Sequence, residues 1–276
     1  METASVFRTL KHLPAPVSPN AYEAMDDLTS VDDWPSGRVL VVMATFNECD
    51  NVCPLIEAIL AADDRVQVLV VDDESPDGTG QLALDTAARS QRVHALIRRG
   101  RKGLGSAILE GFQLAAAHGF EIAFNMDADF SHDPADLPRL LAAMEPIGGR
   151  PLDMVIGSRR VPGGRVVGWP LSRHLSSRLV GWFTRLILRV PIRDGSSGYR
   201  GLRLAMLDRL SKRPMCTGYA FHEDLVWRVH RAGGRMMELP ICFTDRTRGR
   251  SKANLPAVLE GIRDLFRLGW WNLRSE

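Results

Sequence analysis

EIAFNMDADFSHDP runs from Glu121 to Pro134. Its first half is an apolar strand. Its second half sets Asp127, Asp129 and Asp133 close together, just ahead of a proline. Ionised carboxylates at such spacing repel one another, so the cluster destabilises the chain unless something cationic sits there. Two carboxylates separated by one small residue at a strand end can reach a single divalent ion, directly or through water. Mg²⁺ or Mn²⁺ suits such hard oxygen donors, with substrate phosphate oxygens completing the coordination. Asp-x-Asp alone is a common pattern, and its position after a buried strand is what gives it weight.

The same pattern of strand then acid recurs on either side. Residues 38–44, 66–71, 93–97 and 121–126 read as continuous apolar strands. Between them, residues 51–62, 79–89 and 104–118 carry apolar side chains at helical spacing. Apolar strands alternating with helices predict a mostly parallel central sheet covered by helices on both faces. In such sheets ligands bind beyond the carboxyl ends of the strands. The first strand ends in Ala44-Thr45-Phe46-Asn47-Glu48, the second in Asp72-Asp73-Glu74, and the fourth in Asp127-Ala128-Asp129. Asp72 and Asp73 suit hydrogen bonds to a base N–H or a ribose hydroxyl. The stretch RGRKGLG at 99–105 is neither a GxGxxG fingerprint nor a P-loop. It does bring Lys102 and flexible backbone to a helix N-terminus, where an anion is favoured.

Beyond Asp129 the alternation loosens. A strand is expected at 153–157, a Gly- and Arg-rich loop at 158–169, and a long helix at 171–188. A strand or turn at 196–202, a helix at 223–232 and a strand at 236–239 follow. Residues 1–37 carry prolines and polar residues without a period and read as a flexible extension. Residues 38–253 form one catalytic domain on this reading, and 254–276 an amphipathic helix. That helix sets Leu259, Ile262, Leu265, Phe266 and Leu268 among arginines and ends in Trp270-Trp271. Two fates suit it: docking on the protein core, or lying in a membrane interface.

The 276 residues are 45% hydrophobic and 25% charged, with a net charge of +2, which is ordinary globular composition. Charge is uneven, however. From 157 to 213 there are 13 Lys and Arg against 2 Asp and Glu, a bias that favours phosphates or an anionic surface. No signal-peptide core and no membrane-spanning run stands out, and Cys49, Cys53, Cys216 and Cys242 have the spacing of reduced packing residues.

An ordered series of blocks resembles family 2 glycosyltransferases. ATFNE at 44–48, VVDDESPDGT at 70–79 and KGLGSA at 102–107 begin it. MDADFSHDP at 126–134 is close to the polyprenol (dolichyl) phosphate mannosyltransferase form. GSRR at 157–160, GW at 168–169, DGSSGYR at 194–200, GYAFHED at 218–224 and FTDRTRGRSK at 243–252 continue it. The resemblance implies a Rossmann-like glycosyltransferase A-type fold and inverting, metal-dependent transfer of a hexose. It implies mannose from GDP-mannose as donor and a polyprenyl or dolichyl phosphate as acceptor, with Mg²⁺ or Mn²⁺ as cofactor. Carried over by position, Thr45, Asn47, Glu48, Asp72, Asp73, Lys102 and Asp127 would line the nucleotide-sugar pocket. Asp127 and Asp129 would hold the metal, and Arg159 falls at a catalytic-loop arginine. Arg173, Ser177, Arg246 and Arg248 would meet the acceptor phosphate. His222 and Asp224 stand where the family has Gln and Glu, and would be a sugar contact or a base. The alternative is transfer from UDP-glucose, or to a saccharide acceptor with Asp224 as base. The implied setting is cytoplasmic and peripheral, on the cytoplasmic face of a membrane, with room for a membrane-protein partner and no role for nucleic acid.

Overall fold

A computed structural model describes residues 38–100, 103–145, 149–211, 215–246 and 255–274, with side-chain detail from 259 onward in the last segment. The extension at 1–37, Lys102 and Arg248 lie outside the described residues.

The expected alternation forms β1 (Val39–Thr45), α1 (Val52–Ala62), β2 (Val66–Asp72), α2 (Thr79–Ala87), β3 (Val93–Ile97), α3 (Leu104–Ala117) and β4 (Ile122–Asn125). β1, β2, β3 and β4 are parallel neighbours, in register so that Thr45 lies opposite Asp72 and Val42 opposite Asn125. Their carboxyl ends therefore share one edge of the sheet. The strands are apolar on both sides because both sides are covered. Leu40 and Val42 point into one core with Ile108 and Phe112 of α3. Val39, Val41 and Met43 point into the other with Leu55, Ile56 and Ile59 of α1. α3 lies so close to β1 that a Cβ at Gly111 would sit 2.4 Å from Val42, so only glycine fits there.

The second half departs from strict alternation. A short helix, α4 (Leu137–Met144), follows the acid cluster; the sequence pattern alone does not flag it, because it spans eight residues with a proline at its start. β5 (Met154–Ser158) is followed not by a bare loop but by β6 (Arg165–Val167), which pairs with a late strand. α5 (Leu171–Leu186), β7 (Arg200–Arg203), a 3₁₀ segment (Leu204–Arg209), α6 (Phe221–Arg231), β8 (Met236–Pro240), β9 (Cys242–Thr244) and α7 (Leu255–Arg274) complete the order. The main sheet runs β3-β2-β1-β4-β7-β5-β8. β7 is antiparallel to both β4 and β5. This reversal brings residues 194–199 to the edge where β4 delivers its acids.

α7 settles one of the two fates read from sequence. Leu268 is fully buried, and Asn272 accepts a hydrogen bond from Trp227 Nε1 at 2.9 Å. One face of the helix is docked on the core. Its other face is exposed.

Candidate active site

The ends of β1 and β2 are built around Asp72. Thr45 Oγ1 donates to its Oδ2 at 2.8 Å, and Ser75 donates from its backbone N at 2.8 Å and its Oγ at 2.5 Å. Glu48 N donates to Thr79 Oγ1 and Asn51 Nδ2 to Glu48 Oε2, both at 2.9 Å. Asp73 accepts from Arg98 Nε at 2.6 Å and from Gly103 N at 2.8 Å, which ties the start of α3 to β2. Thr45, Asn47, Glu48, Asp72 and Asp73 thus come together as the sequence predicts. Asp72 and Asp73 spend much of their hydrogen-bonding capacity on Thr45, Ser75, Arg98 and Gly103 around them. Arg98, buried behind Asp73, was not legible from sequence, because Arg99 and Lys102 beside it look equally basic.

Backbone strain marks the same edge. Four described non-glycine residues have left-handed φ, and three of them, Asn47, Glu74 and Phe130, follow β1, β2 and β4. Each such residue costs about 1–3 kcal/mol, and such outliers cluster at functional sites.

Past β4, Asp127 is about one-third exposed, and its N–H donates to His132 Nδ1 at 3.2 Å. Gly198 leaves room for it: a Cβ there would stand 2.7 Å from Asp127 Oδ1. Asp129 is buried. Its Oδ1 accepts from Ser131 N at 3.0 Å, and its Oδ2 pairs with Arg246 at 3.0 Å. Burial opposes its ionisation, but Ser131 and Arg246 outweigh burial and hold the carboxyl below its ordinary range. Arg246, expected at the acceptor phosphate, therefore reaches Asp129. Burial also pushes His132 below its ordinary range, so it is neutral, with Nδ1 accepting and Nε2 unpartnered.

The arginines divide into three roles. Arg159 is nearly enclosed and clasps Asp194: Nε to Oδ2 at 2.8 Å, one terminal nitrogen to Oδ1 at 2.6 Å, and its own backbone N to Oδ2 at 2.8 Å. Its guanidinium also lies 5.2 Å from the Trp169 ring and 5.3 Å from Phe243. Its pairing with Asp194 holds the end of β5 against the loop before β7, and its charge also acts on Asp127. Arg173 stacks on Trp169 at 4.3 Å and pairs with Asp245 at 2.7 Å. Ser177 is held not by Arg173 but by Arg160, at 2.8 Å. Arg160 is partly buried and faces no carboxylate within ion-pair distance among the described residues. Burial holds its pKa below the usual value. Of these three arginines it alone makes no carboxylate ion pair among the described residues, although Asp194 lies near enough to favour its charge. The sequence pattern hid it because it directly follows Arg159.

Asp224 is not placed to act as a base. It is fully buried, bound by Arg228 at 2.6 and 3.2 Å, and accepts Cys216 N at 2.8 Å. His222 is buried and pushed far below its ordinary range by burial, with Nδ1 unpartnered. Glu223, between them, is a residue that sequence reasoning passed over. Burial pushes its carboxyl up to about 7. A carboxyl raised from 4.5 to about 7 binds its proton more tightly in the fold than in the unfolded chain. Stability is then greatest below about 4.5 on this account and falls as pH rises through about 7. Glu223→Gln is expected to flatten this slope and to raise Tm above the parent at pH 8. An unchanged pH–Tm curve in thermal melts between pH 5 and 8 would contradict it.

The family model for Glycosyl transferase family 2 matches residues 40–211. The chain belongs to glycosyltransferase family 2. Undecaprenyl-phosphate mannosyltransferase of Micrococcus luteus is 39% identical to this family 2 glycosyltransferase over 247 residues, covering 86% of the chain and 98% of the relative. Polyprenol monophosphomannose synthase of Mycolicibacterium smegmatis is 39% identical over 243 residues, covering 87% and 89%. Among solved structures, glucosyl-3-phosphoglycerate synthase of Mycobacterium tuberculosis bound to uridine diphosphate matches with a TM-score of 0.60 at 18% identity, covering 86% of this chain and 80% of that one. That last likeness concerns the fold, the mostly parallel sheet of the glycosyltransferase A type.

Proposed function

We propose that this family 2 glycosyltransferase transfers mannose from GDP-mannose to a polyprenyl phosphate, with inversion at the anomeric carbon. The observation that carries this reading is the Arg160–Ser177 pair, a guanidinium and a hydroxyl side by side at 2.8 Å with no carboxylate on the guanidinium among the described residues. It suits a phosphate acceptor, as do the two relatives whose names specify a polyprenyl-type mannosyl transfer. A saccharide acceptor with Asp224 as base has less support, because Arg228 and Cys216 N occupy that carboxylate.

A phosphate monoester has a second pKa of about 6 and is largely a dianion at pH 7. An acceptor phosphate oxygen attacks C1 of the sugar from the face opposite the leaving group. The C1–O bond to the diphosphate breaks, its electron pair stays on the β-phosphate oxygen, and the nucleoside diphosphate departs. No proton is removed, so no base is needed. The protein's task is to position two anions that repel each other, and aligned cations do this. Arg160 and Ser177 orient the acceptor phosphate, Arg173 on Trp169 stands beside them, and the walls at Asp72 and Asp73 shape the nucleotide end.

The donor set fits Mg²⁺ or Mn²⁺. Among the described residues no group of three His, Cys, Asp or Glu side chains could hold a metal alone. Asp127 and Asp129 supply two carboxylates, and the diphosphate would supply further oxygens, as is usual for Mg²⁺. Bound there, the ion would act as a Lewis acid that offsets charge on the departing diphosphate.

The deciding assay is two-phase transfer of label from GDP-mannose, and in parallel from UDP-glucose, to a short polyprenyl phosphate, with and without chelator. Chelator-sensitive label in the organic phase from GDP-mannose is expected. Transfer from UDP-glucose alone would replace the donor. Arg160→Gln is expected to raise the acceptor KM about tenfold or more, the loss of a charge-assisted hydrogen bond, and to leave the donor KM near its parent value. An equal rise in both constants would remove Arg160 from the acceptor site.

A further inference from the structure

Arg200 is among the largest side chains sealed inside this protein. No acid closes on it among the described residues. Its guanidinium donates to backbone carbonyls instead: Nε to Ser197 O at 2.9 Å, Nη1 to His222 O at 2.8 Å, and Nη2 to Gly195 O at 3.0 Å and to Ser197 O. One side chain thus ties the loop before β7 to the first turn of α6. Burying a cation without an acid is costly, and burial lowers the Arg200 pKa to about 10.

The loop it fastens carries the site. Gly198 lies against Asp127, where a Cβ would stand 2.7 Å from Oδ1, and its carbonyl accepts from Asn125 Nδ2 at 2.6 Å. Asp194, at the start of the same loop, holds Arg159. A shift of this loop would move the surface on which Asp127 rests.

Glu223 lies beside the clamp. It follows His222, whose carbonyl Arg200 takes, and it is buried with no ion pair of its own among the described residues. The charged groups that act on it are Arg200 of β7, Asp194 before β7 and Arg159 at the end of β5. Arg159 and Asp194 are paired with each other. Within α6, Asp224 is taken by Arg228. His222 is neutral, as is His132, which acts on it from the segment after β4. Among the described residues Arg200 is then the cation left to answer a charge on Glu223.

We infer that Arg200 is a positioning residue that holds the loop against Asp127, and that Glu223 competes for its guanidinium once ionised. This deepens the proposed transfer and rests on Asp127 taking part in it. Burial keeps Glu223 protonated up to about 7, so at lower pH the guanidinium stays on the carbonyls. Above that, a buried anion draws the neighbouring cation more strongly than neutral carbonyls do. The loop then loosens and transfer falls. The acid side of the profile has another origin, because the acceptor phosphate becomes a dianion above about 6. A bell-shaped profile follows.

Glu223→Gln tests the alkaline limb. In two-phase transfer the parent is expected to lose kcat about tenfold between about pH 7 and about pH 8.5, while the variant keeps its rate there and retains the acid limb. Amide hydrogen exchange reads the loop without turnover. At about pH 8.5, residues 194–199 are expected to exchange about tenfold faster in the parent than in Glu223→Gln, and at about pH 6 alike. Arg200→Lys replaces the fork by a point charge, and should raise that exchange at both pH values and lower kcat about tenfold or more. Parent-like exchange and turnover in Arg200→Lys would remove Arg200 from this role. Should Arg200→Lys fail to fold, Glu223→Gln decides: an alkaline fall that persists in it, or loop exchange equal to the parent's at about pH 8.5, would overturn the competition. The expected exchange pattern with no transfer to polyprenyl phosphate by any form, parent included, would fault the acceptor and leave the clamp standing.

Discussion

Asp129→Ala is expected to lower sugar transfer about a hundredfold or more while the protein stays folded. The carboxylate lies at the end of β4 with Oδ1 on Ser131 N and Oδ2 on Arg246. The fold tolerates its loss because Arg246 is about one-quarter exposed and can turn to water. On the proposed reading the chemistry would not tolerate it, because only Asp127 would then remain to anchor a divalent ion beside the diphosphate. Two measurements check this: the initial rate across Mn²⁺ concentrations, and paramagnetic titration of free Mn²⁺ with GDP present. Tight Mn²⁺ binding with near-parent turnover in the variant would remove Asp129 from the metal site. Asp129→Asn separates charge from shape and should resemble the alanine variant in rate.

Asp194→Ala should be the most damaging substitution for the fold. Arg159 and Asp194 are 8% and 2% exposed and share three hydrogen bonds. Removing the acid leaves a buried guanidinium whose remaining side-chain hydrogen bond goes to Ser196 Oγ. Breaking such a pair from one side costs about 3–5 kcal/mol, because the stranded charge keeps no carboxylate and gains no water. Chemical denaturation should show a midpoint loss of that size, with transfer falling in parallel. Arg159→Met with Asp194→Leu removes both charges and should recover part of the stability without recovering activity. If Asp194→Ala melts like the parent, the pair does not organise this loop.

Much of the fold was legible in the sequence for one physical reason. Strands buried on both faces must be apolar throughout, and the parallel pairing of β1 to β4 requires helices between them. The pattern survives in the residues themselves. It weakens where β7 reverses, because a four-residue strand between two neighbours carries little periodic signal. β6 was invisible because its three residues, Arg165–Val167, alternate with no buried face. In the site, Asp127 and Asp129 stood out because carboxylates after an apolar strand need a cause. Pairings did not stand out. Asp224 and Arg228 stand four apart on one helix, a spacing that could have flagged their pairing, but nothing showed that Arg159 would close on a residue 35 positions away, or that Ser177 would choose Arg160. Such choices depend on how β5, α5 and α6 meet in space.

The two faces of α5 also set a length. Ser177 and the exposed apolar side chains Leu175, Leu179 and Trp182 stand on opposite sides of a helix about 10 Å across with its side chains. An acceptor whose phosphate reaches Ser177 while its tail stays among the lipids must lift its head by roughly that distance. For such an acceptor only the first prenyl units would leave the bilayer to span the gap, and the rest of the tail would stay among the lipids rather than touch the protein. The enzyme would then read the head of its acceptor and be indifferent to how long the tail is.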